Sequence, residues 1–386
     1  MKKVGARRIF LLSAAVTSIF NTAFFAVDLV SDEKLLLALS VTLICLASLG
    51  DAGIFCSNYV LAAQQTKDLR KRKESGALGP AIIETMYAAG GMLGPLLGGC
   101  LLLNFFNLSK FFPGGFIFHA AGWTGLLLSI GCSGLCLTIL SILAFRNDAE
   151  VTKTPLPDFT IGEQATADKG SSRVTYLNAI TRPLVFISCV AQVTSGMTST
   201  WYLSSLEKHL STTLQVSPIT ISLAYMCPGL IYTTLTPLTG LLLDRGLNQL
   251  PLLLVGTSSN IVAYLLLGPA PFLPIDPSLA ATVVGLLLQG VGISITAITC
   301  LNLMMVTTGA KSESGEGIVT SLWVTCELAG NYLGSTLGGV ADEAWGFMDG
   351  TTPMLVIEAA LLVVLLLMTA TKMHISHGNI KNITRL

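Results

Sequence analysis

Charge is what this chain lacks. Only 11% of its 386 residues are Asp, Glu, Lys or Arg, against about 25% in soluble domains. Neither sign is in excess: 22 basic and 22 acidic residues cancel. A basic face for nucleic acid and a charge-driven disordered chain are both excluded. Cysteine is not arranged as staples. Cys45, Cys56, Cys100, Cys132, Cys136, Cys189, Cys227, Cys300 and Cys326 all fall in or beside apolar runs, so a disulfide-built secreted domain is excluded. They read as reduced thiols packed like small apolar side chains. Cys132 and Cys136 share a helix face, but no His or carboxylate stands beside them. The four histidines, His119, His209, His374 and His377, are scattered at run edges and in the tail. Clustered metal ligands and a nucleophile with its base are therefore missing, and neither an enzyme nor a metal site is expected.

Apolar residues, at 52%, fill the gap, and the mean hydropathy is +0.71. A membrane-crossing helix needs about 20 apolar residues. Ten stretches qualify: 9–27, 35–63, 78–104, 116–145, 182–204, 217–243, 250–270, 279–308, 316–340 and 352–371. Runs such as Leu361–Leu367 lack the alternation of barrel strands. The fold class expected is an all-α, multi-pass membrane protein. With the N-terminus in the cytosol, 19 of the 22 Lys and Arg fall in cytosolic segments, chiefly Lys2–Arg8, Lys67–Lys73 and the loop 146–181. Only Lys34, Lys110 and Lys208 fall outside. That is the positive-inside asymmetry, and it puts both termini in the cytosol. The basic start is not read as a signal peptide, because 9–27 is long and Phe24–Asp28 is a poor cleavage site. The sequon at Asn107 lies in an outer loop close to the membrane, and that at Asn382 lies in the cytosolic tail.

The chain repeats itself. Gly90-x-x-x-Gly94-Pro95-x-x-Gly98-Gly99 in the third span matches Gly330-x-x-x-Gly334-Ser335-x-x-Gly338-Gly339 in the ninth. Small residues at this spacing let membrane helices approach closely. Four spans separate the loop 146–181 from the second copy, whereas two precede the first. Equivalent halves would leave the first one two helices short. Met1–Arg8 resembles the end of a cytosolic loop whose counterpart is Gly240-Leu-Leu-Leu-Asp244-Arg245-Gly246.

That last motif resembles the loop signature of the major facilitator superfamily, and Gly90–Gly99 resembles its fifth-helix antiporter motif. Met226–Tyr232 and Tyr264–Pro271 are similar to the vesicular amine and polyamine transporter branch, solute carrier family 18. The resemblance implies a two-half bundle of twelve helices, here less two. Residues 1–145 would form a truncated first half, 146–181 a cytosolic linker, 182–373 the second half and 374–386 a tail. It implies proton-coupled antiport of an organic cation by alternating access, on a vesicle, other endomembrane or plasma membrane. It implies a gating role for Gly240, Asp244 and Arg245. The partners would be a small cationic solute, protons and the bilayer. No cofactor is expected, since a proton gradient supplies the energy. The alternative expectation is a truncated isoform or incomplete gene product that transports nothing alone.

Four acids lie inside spans away from their first residues, Asp51, Glu84, Glu327 and Glu358, and no Lys or Arg does. Acids at such positions are costly and usually functional, as proton carriers or cation partners. Asp51 and Glu327 are more than ten residues from either boundary and are expected near the midplane. Glu84 and Glu358 lie about six residues in, and snorkelling to the interface is expected. Gln192, Ser195, Tyr202, Tyr225, Gln289 and Asn331 are polar mid-span candidates for the cavity. The tyrosines suit an ammonium group through cation–π contact, and Gly290 and Gly292 are expected to let their helix bend. The branch often has acids on its tenth and eleventh helices, and only Glu327 matches that pattern.

Overall fold

The computed structural model describes residues 6–24, 32–71, 79–90, 175–268, 276–310 and 313–383, with residues 27, 30, 77, 136 and 139. Among these it is helical throughout, without strands. The helices are α1 (Ala6–Ala23), α2 (Glu33–Lys71), α3 (79–90), α4 (Tyr176–Ile180), α5 (Pro183–Thr200), α6 (Leu206–Thr212), α7 (Pro218–Asp244), α8 (Gln249–Leu267), α9 (Leu279–Thr308), α10 (Glu313–Gly350) and α11 (Thr352–Ile383). Five segments among the described residues are long and apolar enough to cross a bilayer: Glu33–Tyr59, Pro218–Asp244, Gln249–Leu267, Leu279–Thr308 and Thr352–Thr371. The span 116–145 apart from residues 136 and 139, most of the loop 146–181 and the first repeat beyond Gly90 lie outside the described residues.

The chain divides into two compact units. Unit 1 comprises Met1–Gln65 and Cys100–Ser172, and unit 2 comprises Thr66–Gly99 and Arg173–Leu386. In unit 1, α1 lies against α2 through small residues. A Cβ on Gly50 would stand 2.7 Å from the Ser13 carbonyl oxygen, and one on Gly53 would stand 2.9 Å from the Ser13 Cβ.

Unit 2 is built around α9, which packs against α5, α7 and α8, while α10 packs on α5 and α11 on α8. Helix ends follow local chemistry. Ser217 caps α7 by accepting the Thr220 N–H, with Pro218 in the first turn. Gly246, at φ 89°, ends α7. Its N–H reaches Leu243 O, and that of Leu247 reaches Leu242 O, the bond pair of a Schellman stop. Helix α5 stops at Thr200, short of the expected span end, and continues as turns to Ser205. There the Trp201 indole N–H donates to Gly350 O at 2.9 Å. Gly346, at φ 78°, breaks the helical course of α10. Buried Leu206, Leu210, Ile221, Leu267, Leu286 and Phe347 form one apolar core. Val356, Val363, Leu366 and Leu367 of α11 stay exposed, which suits a helix with lipid on one side.

Candidate functional site

Three helices of unit 2 bring together Glu84 (α3), Tyr232 (α7) and Glu327 (α10). Glu84 is fully buried, and the Tyr232 hydroxyl donates to its Oε2 at 2.7 Å. Glu84 and Glu327 act on each other electrostatically and both act on Tyr232. Among the described residues Oε2 of Glu327 is buried without a hydrogen-bond partner. Tyr232 sits between Pro228 and Pro237 in α7. Each proline removes one backbone donor from the helix ladder. Helix α9 closes on this stretch: a Cβ on Gly290 would lie 2.6 Å from Pro228 O. Gly290 therefore serves close approach to α7, and α9 stays helical from Leu279 to Thr308. Gly292 does the same against Asn260 of α8. The expected bending at these two glycines is thus corrected.

A second polar cluster centres on Thr198 of α5. Its carbonyl accepts the Gln289 Nε2–H at 2.6 Å and the Tyr264 hydroxyl at 2.7 Å. Its hydroxyl donates to Glu358 Oε1 at 2.6 Å, and the Asn260 Nδ2–H donates to the same oxygen at 3.0 Å. Gln289 also acts on the Tyr202 side chain. Tyr202 stacks on Tyr225, centroids 6.4 Å apart and planes 19° apart. The Tyr225 hydroxyl is given to Leu203 O at 3.2 Å. Gln192 is buried with an unpartnered Oε1, Ser195 is buried beside it on α5, and Asn331 accepts the Ser199 hydroxyl at 2.9 Å.

Snorkelling is corrected for both shallow acids. Neither Glu84, at 0% exposure, nor Glu358, at 1%, reaches a surface. Counting residues from a span end measures height along a helix and leaves its azimuth open, and here the inward azimuth wins. Glu84 and Glu327, both among the acids that the sequence displays inside spans, are brought together as a pair only by the fold. Glu358 had a signal too. Thr257, Asn260 and Tyr264 form a buried polar stripe at i, i+3 and i+7 on α8, and a stripe of that kind needs a polar partner on a facing helix. Asp51 belongs to unit 1, where it is exposed and accepts the Thr17 hydroxyl at 3.1 Å.

Of the cytosolic motif, Asp244 accepts the Ala77 backbone N–H at 2.9 Å, just before α3 begins, and Arg245 is exposed. A carboxylate there meets the positive end of α3. Of the packing motif, Gly330 and Gly334 lie against Val193 and Met197 of α5, Gly338 lies against Trp201 just beyond its end, and Gly339 faces Ser204. Gly90 has no described atom within 4 Å of a Cβ placed on it. Gly94, Pro95, Gly98 and Gly99 lie outside the described residues.

His209 of α6, between the expected spans, stacks on Phe347 with centroids 4.4 Å apart. Burial lowers its pKa from the ordinary 6.5, partly opposed by Asp342.

A family model described as Major Facilitator Superfamily matches residues 184–385. Among solved structures, the Major Facilitator Superfamily transporter FucP in the outward conformation is similar at 14% identity, over 95% of this chain and 84% of that chain, with a TM-score of 0.60. The human organic anion transporter MFSD10 (TETRAN) is similar at 16% identity, over 94% and 77%, with a TM-score of 0.56. A bacterial homologue of the iron transporter ferroportin, outward-facing, is similar at 13% identity, over 95% and 85%, with a TM-score of 0.59. At these identities the likeness is one of fold alone. Comparison with curated protein sequences gives no match.

Proposed function

The chain belongs to the Major Facilitator Superfamily, and from that premise we propose that it is a proton-coupled antiporter of an organic cation, a polyamine or monoamine. The observation that carries this reading is the acid pair of Glu84 and Glu327 with Tyr232. No Lys, Arg or His occurs in α3, α5 or α7–α10. A carboxylate in such a bundle is stabilised by a proton or by a cation brought from outside. Exchange of one for the other is antiport. The Tyr232 hydroxyl orients Glu84, and Glu327 keeps an oxygen open. The stacked Tyr202 and Tyr225 offer faces to an ammonium group.

Transport runs by alternating access, the site being exposed to each side of the membrane in turn. Asp244 and Arg245 act on the cytosolic side, where the carboxylate holds the start of α3 in one of the two states. The neighbours in fold handle other solutes by their names, so the cationic substrate rests on the acids of this chain and on its branch resemblance. The membrane is that of a vesicle, another endomembrane or the cell.

The test is uptake of labelled polyamine or monoamine into proteoliposomes under an imposed pH gradient. Uptake is expected to collapse with an ionophore, in Glu327→Gln and in Glu84→Gln. Flat uptake by well-folded wild-type protein, or uptake indifferent to both substitutions, would overturn the reading.

A further inference from the structure

Glu358 takes no part in the acid pair, yet it is enclosed almost completely. Oε1 accepts from Thr198 and Asn260 at 2.6 and 3.0 Å. Among the described residues Oε2 is buried with no partner, and so is Oδ1 of the same Asn260 amide. Both orphaned atoms are acceptors, so the site is short of a donor. Buried acceptors left bare are costly, and a buried carboxylate without a counter-charge is costlier. No counter-charge is available nearby. The helices packed on α11 are α5, α8 and α10. Neither these nor Thr352–Thr371 contains a Lys, Arg or His. Their titratable residues are phenols, thiols and acids, and of these Tyr264 acts on Glu358.

We propose that Glu358 is a proton-binding site of the C-terminal bundle, carrying its proton on Oε2, and that its proton load reaches the aromatic pair through Thr198. A single proton makes Oε2 a donor. Thr198 is the relay because its hydroxyl holds Glu358 while its carbonyl holds Gln289, which acts on Tyr202. Losing the proton strengthens the pull of the carboxylate on the Thr198 hydroxyl and on the Asn260 amide, shifting the last turn of α5 relative to α9. The relay rests on the transport reading above, whereas the protonation does not. A sodium ion is the rival occupant. It asks for several oxygens at once, and this cluster leaves two bare.

The experiment is infrared difference spectroscopy on the purified full-length chain in lipid vesicles, between acid and alkaline buffers, in sodium and in choline salts. A protonated-carboxyl stretch is expected at neutral pH, absent from Glu358→Gln and shifted in Thr198→Val, which removes a donor to Oε1. Glu358→Gln is expected to fold, because its Oε1 accepts as before and the amide adds a donor where the cluster has only acceptors. Should it fail to fold, the Thr198→Val shift remains the readout. A band indifferent to both substitutions, or spectra that change when sodium replaces choline, overturns the proposal. In vesicles, Glu358→Gln should keep solute–solute exchange but lose gradient-driven accumulation, which amounts to about tenfold per pH unit for each coupled proton. Undiminished accumulation overturns the relay. Loss of transport in Glu327→Gln with the Glu358 band intact is the separate signature of the acid pair, and transport indifferent to Glu327→Gln with that band intact fails the transport reading alone.

Discussion

Alanine at Gly330, compared with alanine at Gly90, separates the symmetry of the repeat from the symmetry of its packing. Both glycines open a copy of the same motif. A Cβ on Gly330 would stand 3.0 Å from the Cα of Gly196 and closer still to the Val193 carbonyl oxygen. The contact is reciprocal: a Cβ on Gly196 would lie 2.6 Å from Glu327 O. One turn on, a Cβ on Gly334 would lie 2.5 Å from Met197 O, so sliding the helices gives no relief. All of these neighbours are backbone atoms of α5 or α10, which cannot rotate away. Recovering ordinary contact at ~3.5–4.0 Å requires the helices to part by roughly 1 Å. Overpacking of this kind costs about 1–3 kcal/mol. Alanine returns about 1 kcal/mol of helix propensity at either site, so that contribution cancels between the two variants. Gly90→Ala meets no described atom within 4 Å and gains propensity alone. The predicted difference is therefore about 1–3 kcal/mol, or roughly 2–12 °C in melting temperature for a unit of this size. Thermal denaturation in detergent, followed by tryptophan fluorescence, reads it. Glu327 lies one turn before Gly330, so Gly330→Ala should also depress cation uptake. Equal melting temperatures, or Gly330→Ala melting above Gly90→Ala, would refute the close approach of α5 and α10.

Three further outcomes are expected. Asp244→Ala removes the acceptor for the Ala77 N–H and should cost about 0.5–2 kcal/mol at the start of α3. Hydrogen exchange over Ala77–Ala81 should speed up roughly 2- to 30-fold, and unchanged exchange would show that Asp244 does not hold this end. His209 is held neutral by burial, with a folded-state pKa below the ordinary 6.5. The unfolded chain then takes up the proton first as pH falls, so stability is complete above about 6.5 and declines as pH drops towards the folded value. His209→Gln should flatten that decline in apparent melting temperature, and an unaltered acid limb would count against it. The Cys189 and Cys326 thiols of α5 and α10 are neighbours that act on each other. A mild thiol oxidant should join them with loss of two hydrogens, read by mass spectrometry in wild type and in Cys300→Ser, and the link should be missing from Cys189→Ser.

Local sums along the chain were enough for several features. The scarcity of charge, the apolar runs and the Lys/Arg asymmetry determine a multi-pass helical protein, because the energy of placing a helix in lipid adds up residue by residue. Ser217 with Pro218, and Gly246 after Asp244, mark the ends of α7 because capping involves only neighbours in sequence. The glycine repeat announces close helix contact, and the superfamily follows from short motifs. Which contact each copy makes was decided only by assembly: Gly330 meets α5, while the same residue in the other copy meets nothing described. Assembly likewise turned Glu84 inward to Tyr232 and Glu327, and Glu358 to Thr198 and Asn260. Distance from a span end gives height in the bilayer, but the face a side chain occupies depends on how each helix is rotated against its neighbours. That rotation is settled by contacts between residues more than a hundred positions apart, and no local count contains them.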